Sequence, residues 1–352
     1  MSEAMVGKGL PRVRVVIPCR NEAGYIGRCL QSLVDADRTG VHVDVRVCDG
    51  LSDDGTVAVI DGVASKYPWI QRVDNGARTT PQALNLGLRP PGYDIGIILG
   101  AHAEVDHAFV LENVRLLNDR PDAGCVGGVI ENVYTDPVSR RIGAAMGHQF
   151  GVGGAHFRTG RKEGEVDTVA FGAYRKAVFD QVGYFDDRLV RNQDDEFNYR
   201  VVQAGWRILL SPAIRSRYYV RASYRRLYRQ YWQYGFWKVY VNRLHGGITT
   251  LRQLVPAIWV ACLVSGAVAA LLHPLLAKLY LAGIGAYLLA AVVSSIRAAK
   301  APGDVPGVLL AFATLHFSYG LGYLLGIWKL VVLRQDPGAA HGTSSRQGTA
   351  GN

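Results

Sequence analysis

Three long apolar stretches in the last third of the chain limit its possible folds more than any other feature. They cover residues 254–272, 275–296 and 308–333. A helix needs about 20 apolar residues to cross a bilayer, and each stretch is about that long. His273 and Pro274 separate the first stretch from the second. We therefore predict three transmembrane helices within 254–333 and a disordered, Gly/Ser/Thr-rich tail at 334–352. The alternative is a buried helical core in a soluble protein.

The basic charge of the chain is concentrated directly before these stretches. The net charge of +10 fits either nucleic acid or an anionic membrane surface as a partner. Arginines that recur at every fourth residue would share one helix face, and they are Arg217, Arg221, Arg225 and Arg229. Tyrosines lie between them, as in helices at a membrane surface. We predict interfacial amphipathic helices at 215–250 that bind membrane lipids and not nucleic acid, which is the rival interpretation of such a segment.

The cysteines and the N-terminal residues indicate the compartment. Five cysteines without CxxC spacing argue against a disulfide framework or a zinc site and fit a reducing environment. Residues 1–12, which we predict to be flexible, lack the apolar run of a secretory signal. Three spans would place Arg297–Lys300 inside, in agreement with the positive-inside rule. We therefore predict a multi-pass protein of the cell membrane with a cytoplasmic catalytic domain.

The first half of the chain alternates short β-branched runs with helical patterns. The runs are 13–18, 41–47, 70–73 and 93–99. This alternation predicts an α/β fold with a mostly parallel sheet that is covered on both faces. Polar residues follow three of the runs, at Pro18–Glu22, at Asp49 and at Gly100–Glu104. Ligands of such sheets bind beyond the carboxyl ends of the strands, so we expect the site at this edge.

The motifs at this edge carry a family resemblance. They read Val-Val-Ile-Pro-Cys-Arg-Asn-Glu at 15–22, Cys-Asp-Gly-Leu-Ser-Asp-Asp-Gly-Thr at 48–56 and Ala-Leu-Asn-Leu-Gly at 83–87. Together they resemble inverting family 2 glycosyltransferases, and most of all the membrane-attached enzymes of the succinoglycan-biosynthesis type. The resemblance implies a Rossmann-like GT-A catalytic domain at 13–214. It also implies a nucleotide-diphosphate sugar as donor, with a UDP-sugar favoured.

The resemblance also implies a set of nucleotide-binding residues. Asp49 would accept a hydrogen bond from the base, and Glu22 would hold the ribose or nearby backbone. The whole predicted set is Pro18, Arg20, Glu22, Asp49, Asn85, Gly100 and Ala101. No GxGxxG motif follows the first predicted strand, so a dinucleotide-dependent dehydrogenase is disfavoured.

The residues that would hold a metal depart from the family pattern. Related enzymes carry Asp-x-Asp after the fourth strand, where this chain has Gly100-Ala101-His102. Mg²⁺ prefers oxygen ligands whereas Mn²⁺ tolerates imidazole, so His102 would favour Mn²⁺. The divalent cation is thus predicted as Mn²⁺ or Mg²⁺. Direct hydrogen bonding of His102 to the diphosphate is the alternative.

The candidate catalytic residues stand in a run of three carboxylates, Asp194, Asp195 and Glu196. Acids are favoured in the first turn of a helix, so a purely structural interpretation exists. Crowding of like charges also raises the pKa of a carboxylate unless one is solvated, which suits a general base. The resemblance implies Asp194 as the base, after Gln193 in place of the usual Glu, with Asp195 as the alternative.

A segment after this run resembles the interfacial segment of the family. Its candidate acceptor or interface residues are Gln230, Trp232, Tyr234, Trp237 and Lys238. The Gln-x-x-Arg-Trp motif of processive synthases is absent, so we expect transfer of one sugar to a lipid-linked or growing polysaccharide acceptor. Gly143–Gly164 contains seven glycines and is predicted to be a mobile acceptor-side loop. A non-catalytic glycan-assembly subunit is the alternative function, because Gly100 replaces the first acid.

Overall fold

The fold is described from a computed structural model, which covers residues 9–160, 163–220, 222–249, 251–335 and 337. The chain divides into two compact units. The first comprises the residues up to 132 together with 156–219, and the second comprises 133–155 and the residues from 220 onward. Each unit is described by itself.

Strands and helices alternate through the first unit. The described strands are β1 Arg12–Cys19, β2 His42–Asp49, β3 Ile70–Asp74, β4 Ile95–Ile98, β5 Ala103–Val105, β6 Ala123–Val133, β7 Gly164–Glu165, β8 Ala170–Arg175 and β9 Arg207–Tyr219. The α-helices among the described residues are α1 Ile26–Asp35, α2 Thr56–Ala64, α3 Thr80–Leu88, α4 Phe109–Asp119, α5 Pro137–Met146, α6 Gln149–Val152, α7 His156–Thr159, α8 Lys176–Val182, α9 Gln193–Gln203, α10 Tyr224–Leu244, α11 Val255–Ala270, α12 Pro274–Ala298 and α13 Val305–Gly326.

The strands form one mixed sheet in the order β3-β2-β1-β4-β8-β6-β9-β5, with β7 paired to β9. Its first four strands are parallel, as predicted, and the pairs β4–β8, β6–β8, β5–β9 and β7–β9 are antiparallel. The register places Cys19 opposite Asp49 and Asp49 opposite Asp74. The carboxyl ends of β1, β2 and β3 therefore meet at one edge.

Two apolar clusters cover the faces of the sheet. Helices α1 and α4 contribute Leu30 and Phe109 to one cluster, while α3, α8 and α9 contribute Leu84, Phe179 and Phe197 to the other. The central strand β1 is a run of β-branched residues that is buried on both faces. Burial on both faces explains why Val15, Val16 and Ile17 are consecutive apolar residues rather than alternating with polar ones, while the buried Arg14 pairs with Asp44.

The helix that we predicted to begin near residue 215 begins later, at Tyr224. Residues 215–219 are the last part of β9, whose Arg217 pairs with Glu104 of β5. Ile214 and Ser216 are buried whereas Arg215 and Arg217 are exposed. This alternation has the two-residue period of a strand and outweighs the four-residue spacing of the arginines. The prediction was therefore wrong for 215–219, and Arg221 lies outside the described residues.

The second unit contains the three predicted apolar helices. Short 3-10 helices at Leu251–Leu254 and Pro302–Asp304 precede α11 and α13, and a π-helical turn at Ile327–Val332 continues α13. By length and composition, three helical segments can cross a membrane, namely Leu251–Ala270, Pro274–Ala298 and Pro302–Val332. Part of the glycine-rich stretch predicted to be a mobile loop is instead helical, as α5 and α6. Gly151 of α6 packs so closely that an added Cβ would lie 3.0 Å from Phe312.

Candidate active site

Asp49 is the most enclosed acid at the shared edge of β1, β2 and β3. Its side chain is 1% exposed. One carboxylate oxygen accepts a hydrogen bond from the Ser52 hydroxyl at 2.5 Å, and the other accepts from the Ser52 amide at 2.9 Å. The turn after β2 thus fixes the orientation of this carboxylate, as an Asx-type turn does. Asp49 is the last residue of β2, and its predicted contact with the donor base stays a prediction.

Asn75 lies beside Asp49 and was missed in the sequence. Its backbone amide donates to the Asp49 carbonyl at 2.7 Å, and its side-chain amide donates to the Thr79 carbonyl. Asn75 is 2% exposed, and its buried Oδ1 has no hydrogen-bond donor among the described residues. A buried acceptor without a donor is uncommon in folded proteins. The signal that could have indicated this position is the polar sequence Asp74-Asn75-Gly76 at the end of β3.

The motif after β1 is bound directly to the motif after β2. The Asn21 side chain donates to Asp53 at 2.8 Å and accepts from the Asp53 amide at 3.1 Å. The Glu22 amide donates to the Thr56 hydroxyl at 2.8 Å. Burial alone would raise the pKa of Asp54, but hydrogen bonds from Thr56 and Ala23 outweigh it and lower that pKa. The Asp53 and Asp54 side chains therefore stabilise the two loops through these hydrogen bonds.

His102 and Glu22 form a close pair at the end of β4. The His102 Nε2 atom lies 2.8 Å from Glu22 Oε2, and the His102 ring packs on Tyr25 with centroids 4.4 Å apart. His102 is only 8% exposed. The Glu22 carboxylate, which we predicted to hold the ribose, is directed at His102. The two residues that the sequence assigned to different roles are brought together.

Gly100 could not be exchanged for an acid without displacing Phe171. A Cβ added at Gly100 would lie 3.1 Å from the Phe171 ring. Glu104 does not replace the missing acid, because its carboxylate accepts a hydrogen bond from the Tyr219 hydroxyl at 2.6 Å. Across the described ranges, no three His, Cys, Asp or Glu side chains are grouped closely enough to hold a metal ion. The protein side chains alone therefore do not form a metal site, and the cation stays a prediction.

The three consecutive carboxylates on α9 have different surroundings. Asp194 is exposed and accepts a hydrogen bond from the Asp195 amide at 3.0 Å, while Asp195 is half-buried. Glu196 is 1% exposed and holds Arg200 through two contacts of 2.7 and 2.9 Å. Glu196 is thus a structural residue. Of the three, Asp194 is the most exposed residue, and its role as the general base stays a prediction.

Asn85 and Arg200 fix the loop that precedes α9. The Asn85 amide donates to the Phe185 carbonyl at 2.8 Å and to Asp187 at 2.6 Å, and it accepts from the Phe185 amide at 3.0 Å. Arg200 donates to the carbonyls of Val182 and Tyr184. Asn85 therefore positions this loop through its buried amide, and its predicted contact with the nucleotide stays a prediction.

Several non-glycine residues around this edge have left-handed backbone conformations. They are Asn21, Leu51, Arg78, Phe171 and Asn192, with φ between 48° and 61°. Asn192 directly precedes α9, and Phe171 packs against Gly100. Such conformations cost about 1–3 kcal/mol each and cluster at functional sites. Four of them lie in the loops after β1, β2 and β3 and directly before α9, while Phe171 lies in β8, and this grouping supports the assignment of the site to this edge.

The remaining predicted residues are placed as follows. Arg20 is exposed, with its aliphatic part across Gly50, while Pro18 is half-buried and Ala101 is buried. On α10, Gln230 donates to the Tyr234 hydroxyl at 2.8 Å, and Trp232 stacks on Phe236. Contrary to the prediction of an acceptor or lipid contact, Trp237 and Lys238 are both 0% exposed, because helix packing within the second unit buries them.

Comparison with known proteins identifies the family that the chain resembles. A family model described as "Glycosyltransferase like family 2" matches residues 11–240. The chain is 29% identical over 230 residues to a dolichyl N-acetyl-α-D-glucosaminyl phosphate 3-β-D-2,3-diacetamido-2,3-dideoxy-β-D-glucuronosyltransferase of Methanococcus voltae, covering 63% of this chain and 71% of the relative. It is 28% identical to the succinoglycan biosynthesis protein ExoA of Rhizobium meliloti, covering 74% of this chain and 78% of that protein.

A solved structure supports the fold. A crystal structure of S. aureus TarS has a TM-score of 0.51 and 13% identity, and the match covers 92% of each chain. At this identity the likeness concerns the fold alone. It agrees with the GT-A architecture predicted from the sequence.

Proposed function

We propose, from the premise that this chain belongs to glycosyltransferase family 2, that it transfers one sugar with inversion to a lipid-linked or growing polysaccharide acceptor. The family membership makes it a glycosyltransferase with a nucleotide-sugar donor. The finer acceptor assignment is supported by two relatives, one named for a dolichyl-phosphate-linked acceptor and one for succinoglycan biosynthesis. The apolar helices of the second unit support a reaction at a membrane, which we place on the cytoplasmic face.

The observation that carries the proposal is the separation of roles among the α9 carboxylates. Asp194 is exposed at the first turn of α9, whereas the neighbouring Glu196 is engaged with Arg200. In the proposed reaction Asp194 accepts the proton of the acceptor hydroxyl. The hydroxyl oxygen attacks the anomeric carbon from the side opposite the nucleoside diphosphate, and the diphosphate leaves with the bonding electron pair. A single displacement inverts the configuration, as a base-activated water does in inverting glycosidases.

The nucleotide is proposed to bind between the ends of β1, β2 and β3. Asp49 would offer a carboxylate oriented by Ser52 to a donor N–H of the base. Binding of UDP, GDP, dTDP and CMP, measured by calorimetry, tests this proposal, with UDP expected to bind most tightly. Failure of all four nucleotides to bind would contradict it and favour the non-catalytic assembly subunit, the alternative that Gly100 in place of the first acid suggests.

Asp49→Asn is expected to weaken binding of the preferred nucleotide by about 10- to 100-fold, because a hydrogen bond to a charged group contributes roughly 1.5–3 kcal/mol. Ser52→Ala is the control, since it removes one partner of Asp49 and keeps the carboxylate. It is expected to weaken binding less. Calorimetric titration of both variants checks the prediction, and equal losses would mean that the turn, not the carboxylate, determines affinity.

His102, oriented by its contact with Glu22, is proposed to donate a hydrogen bond to the donor diphosphate, a contact that does not itself require a cation. If so, His102→Ala should lower transfer by a similar factor in EDTA and in added Mn²⁺, because the lost contact is made by the side chain itself. Tyr25→Leu is a matched variant that removes the ring packed on His102 and keeps the imidazole. Transfer rates measured in both buffers distinguish a direct contact of His102 with the diphosphate from a role as a metal ligand. An activity that requires Mn²⁺, and loses that requirement in His102→Ala, would make His102 a metal ligand instead.

A further inference from the structure

Helices α10 and α13 of the second unit lie side by side from end to end. At their starts, the Tyr224 hydroxyl donates to the Gly307 carbonyl at 3.0 Å. Near their ends, Arg243 donates to the Leu330 carbonyl at 2.6 Å, just beyond α13 in the π-helical turn. The two helices therefore run in the same direction. Whatever depth α13 has in a membrane, α10 shares it.

The contact between the two helices is made by backbone as well as side chains. A Cβ added at Gly235 of α10 would lie 2.1 Å from the Tyr319 carbonyl oxygen, and one added at Gly322 of α13 would lie 2.1 Å from the Trp232 carbonyl oxygen. The Asn242 side chain also donates to the Tyr323 hydroxyl at 2.9 Å. Glycines at both positions allow this close approach. The pair is thus a single packed element rather than two helices that touch at one point.

The sequence of α10 does not suit a bilayer crossing. Arg225, Arg226 and Arg229 are exposed near its start, and Arg243 is exposed near its end. From Arg229 to Arg243 the helix rises about 21 Å, at ~1.5 Å per residue, whereas the hydrocarbon core is about 30 Å thick. Lys238 lies between them and is fully buried in the unit. Charged side chains at the centre of a bilayer are costly, so α10 is better placed at the surface.

The parallel direction of α10 and α13 also argues against a crossing by this pair. If α11 and α12 both cross, they return the chain to the side on which α10 ends. A crossing α13 would then start on the side where α10 ends, and it would run against α10. The observed pair is parallel, so α10 and α13 cannot both cross together with α11 and α12.

The exposure of the three apolar helices also distinguishes α11 and α12 from α13. Within the most apolar window of each segment, 11% is buried for Leu251–Ala270, 11% for Pro274–Ala298 and 50% for Pro302–Val332. The turn between α11 and α12 carries Leu271 and Leu272, which are 87% and 77% exposed. Hydropathy allows three crossings, but only α11 and α12 have the nearly complete apolar exposure that suits surrounding lipid.

We infer that the hairpin of α11 and α12 crosses the membrane, and that the α10–α13 pair lies on the bilayer surface on the side of the chain that precedes α10. The exposed Leu310, Leu321 and Trp328 of α13 and the following turn then face the acyl region of that surface. The exposed arginines at the start of α10 lie at the level of the anionic lipid phosphates. The end of the chain after α13 therefore stays on the same side of the membrane as the chain that precedes α10, whereas three crossings would place it on the opposite side.

Labelling of single introduced cysteines with a membrane-impermeant maleimide tests this topology in cells that express the full chain. The exposed native Cys262 is first replaced by Ser, and the four buried cysteines are kept. The probes are Asn118→Cys in α4, Leu272→Cys in the hairpin turn and Ser345→Cys after α13, each labelled in intact and in permeabilised cells. We expect Asn118→Cys and Ser345→Cys to behave alike and Leu272→Cys to behave oppositely. Ser345→Cys behaving like Leu272→Cys, or all three behaving alike, would overturn the inference. Neither result depends on transferase activity.

Discussion

Asp194→Asn is expected to lower the rate of sugar transfer by about 10²–10⁴-fold, the usual contribution of a positioned general base. The amide has the size of the carboxylate but cannot take the proton of the acceptor hydroxyl. Asp194 is exposed and accepts a hydrogen bond from the Asp195 amide at 3.0 Å, and an amide oxygen preserves that bond. Release of nucleoside diphosphate from a panel of nucleotide sugars, with kcat and nucleotide affinity measured separately, checks the prediction. We expect kcat to fall while the affinity for the nucleotide stays within about twofold.

Asp195→Asn is the matched control for this experiment. It removes the same charge one residue later, at a half-buried position on the same helical turn. If Asp194 is the base, Asp195→Asn should cost less than about tenfold in rate, through the lost charge near the site. Equal losses in both variants would mean that the charge of the pair matters and not one proton acceptor. A larger loss in Asp195→Asn would move the base to that residue.

The parallel half of the fold was predictable because its strands are buried on both faces. A continuous run such as 13–18 has few other stable structures, and the alternating helices then require parallel neighbours. The antiparallel half was not apparent, because β8 and β9 lie far from their partners in sequence. In β9 a four-residue spacing of arginines suggested a helix, although Ile214 and Ser216 alternate with exposed arginines. Burial by the partner strands favours the two-residue period of a strand over the four-residue spacing of a helix. This burial cannot be determined from one sequence.

The candidate site was predictable as a location and less so as a set of contacts. The carboxyl ends of β1 and β2 were found from their polar residues, and Asp49 lies there as expected. The pairing of His102 with Glu22 was not predicted, because the two are 80 positions apart and meet only through the sheet. Asn85 shows the same limit, since its partners Phe185 and Asp187 lie about a hundred residues away. Motifs locate an edge, whereas the fold determines which side chains meet.

Hydropathy likewise identified the apolar helices but not what surrounds them. The third helix has the length and composition of a span, and yet half of its most apolar window is covered by protein. An apolar helix that packs against protein and one that packs against lipid look alike in a hydropathy profile. The difference in this chain comes from α10, whose glycine at 235 lets it lie directly on α13.

Glu196→Ala is expected to lower the free energy of unfolding by about 3–5 kcal/mol, since breaking a buried ion pair leaves its partner uncompensated. The Glu196 side chain is 2% exposed and that of Arg200 is 23% exposed, so a value near the lower end is expected. Arg200 also holds the carbonyls of Val182 and Tyr184, which join α9 to the end of α8 and to the following loop. Losing Glu196 should therefore loosen the start of α9 as well as destabilise the unit. Chemical unfolding of the detergent-solubilised full chain, followed by circular dichroism, gives the measurement.

The comparison with Asp194→Asn separates stability from chemistry at neighbouring positions of α9. Asp194→Asn should leave the unfolding midpoint nearly unchanged while it removes activity, because Asp194 is exposed. Glu196→Ala should lower the midpoint and reduce activity only as far as Asp194 is displaced. Glu196→Gln is the conservative variant, since it keeps one hydrogen bond to Arg200 and should lose less stability than the alanine variant. A loss below about 1 kcal/mol in Glu196→Ala would place this pair among ordinary surface salt bridges. The order of α9 would then depend on the Asn85 contacts with the preceding loop.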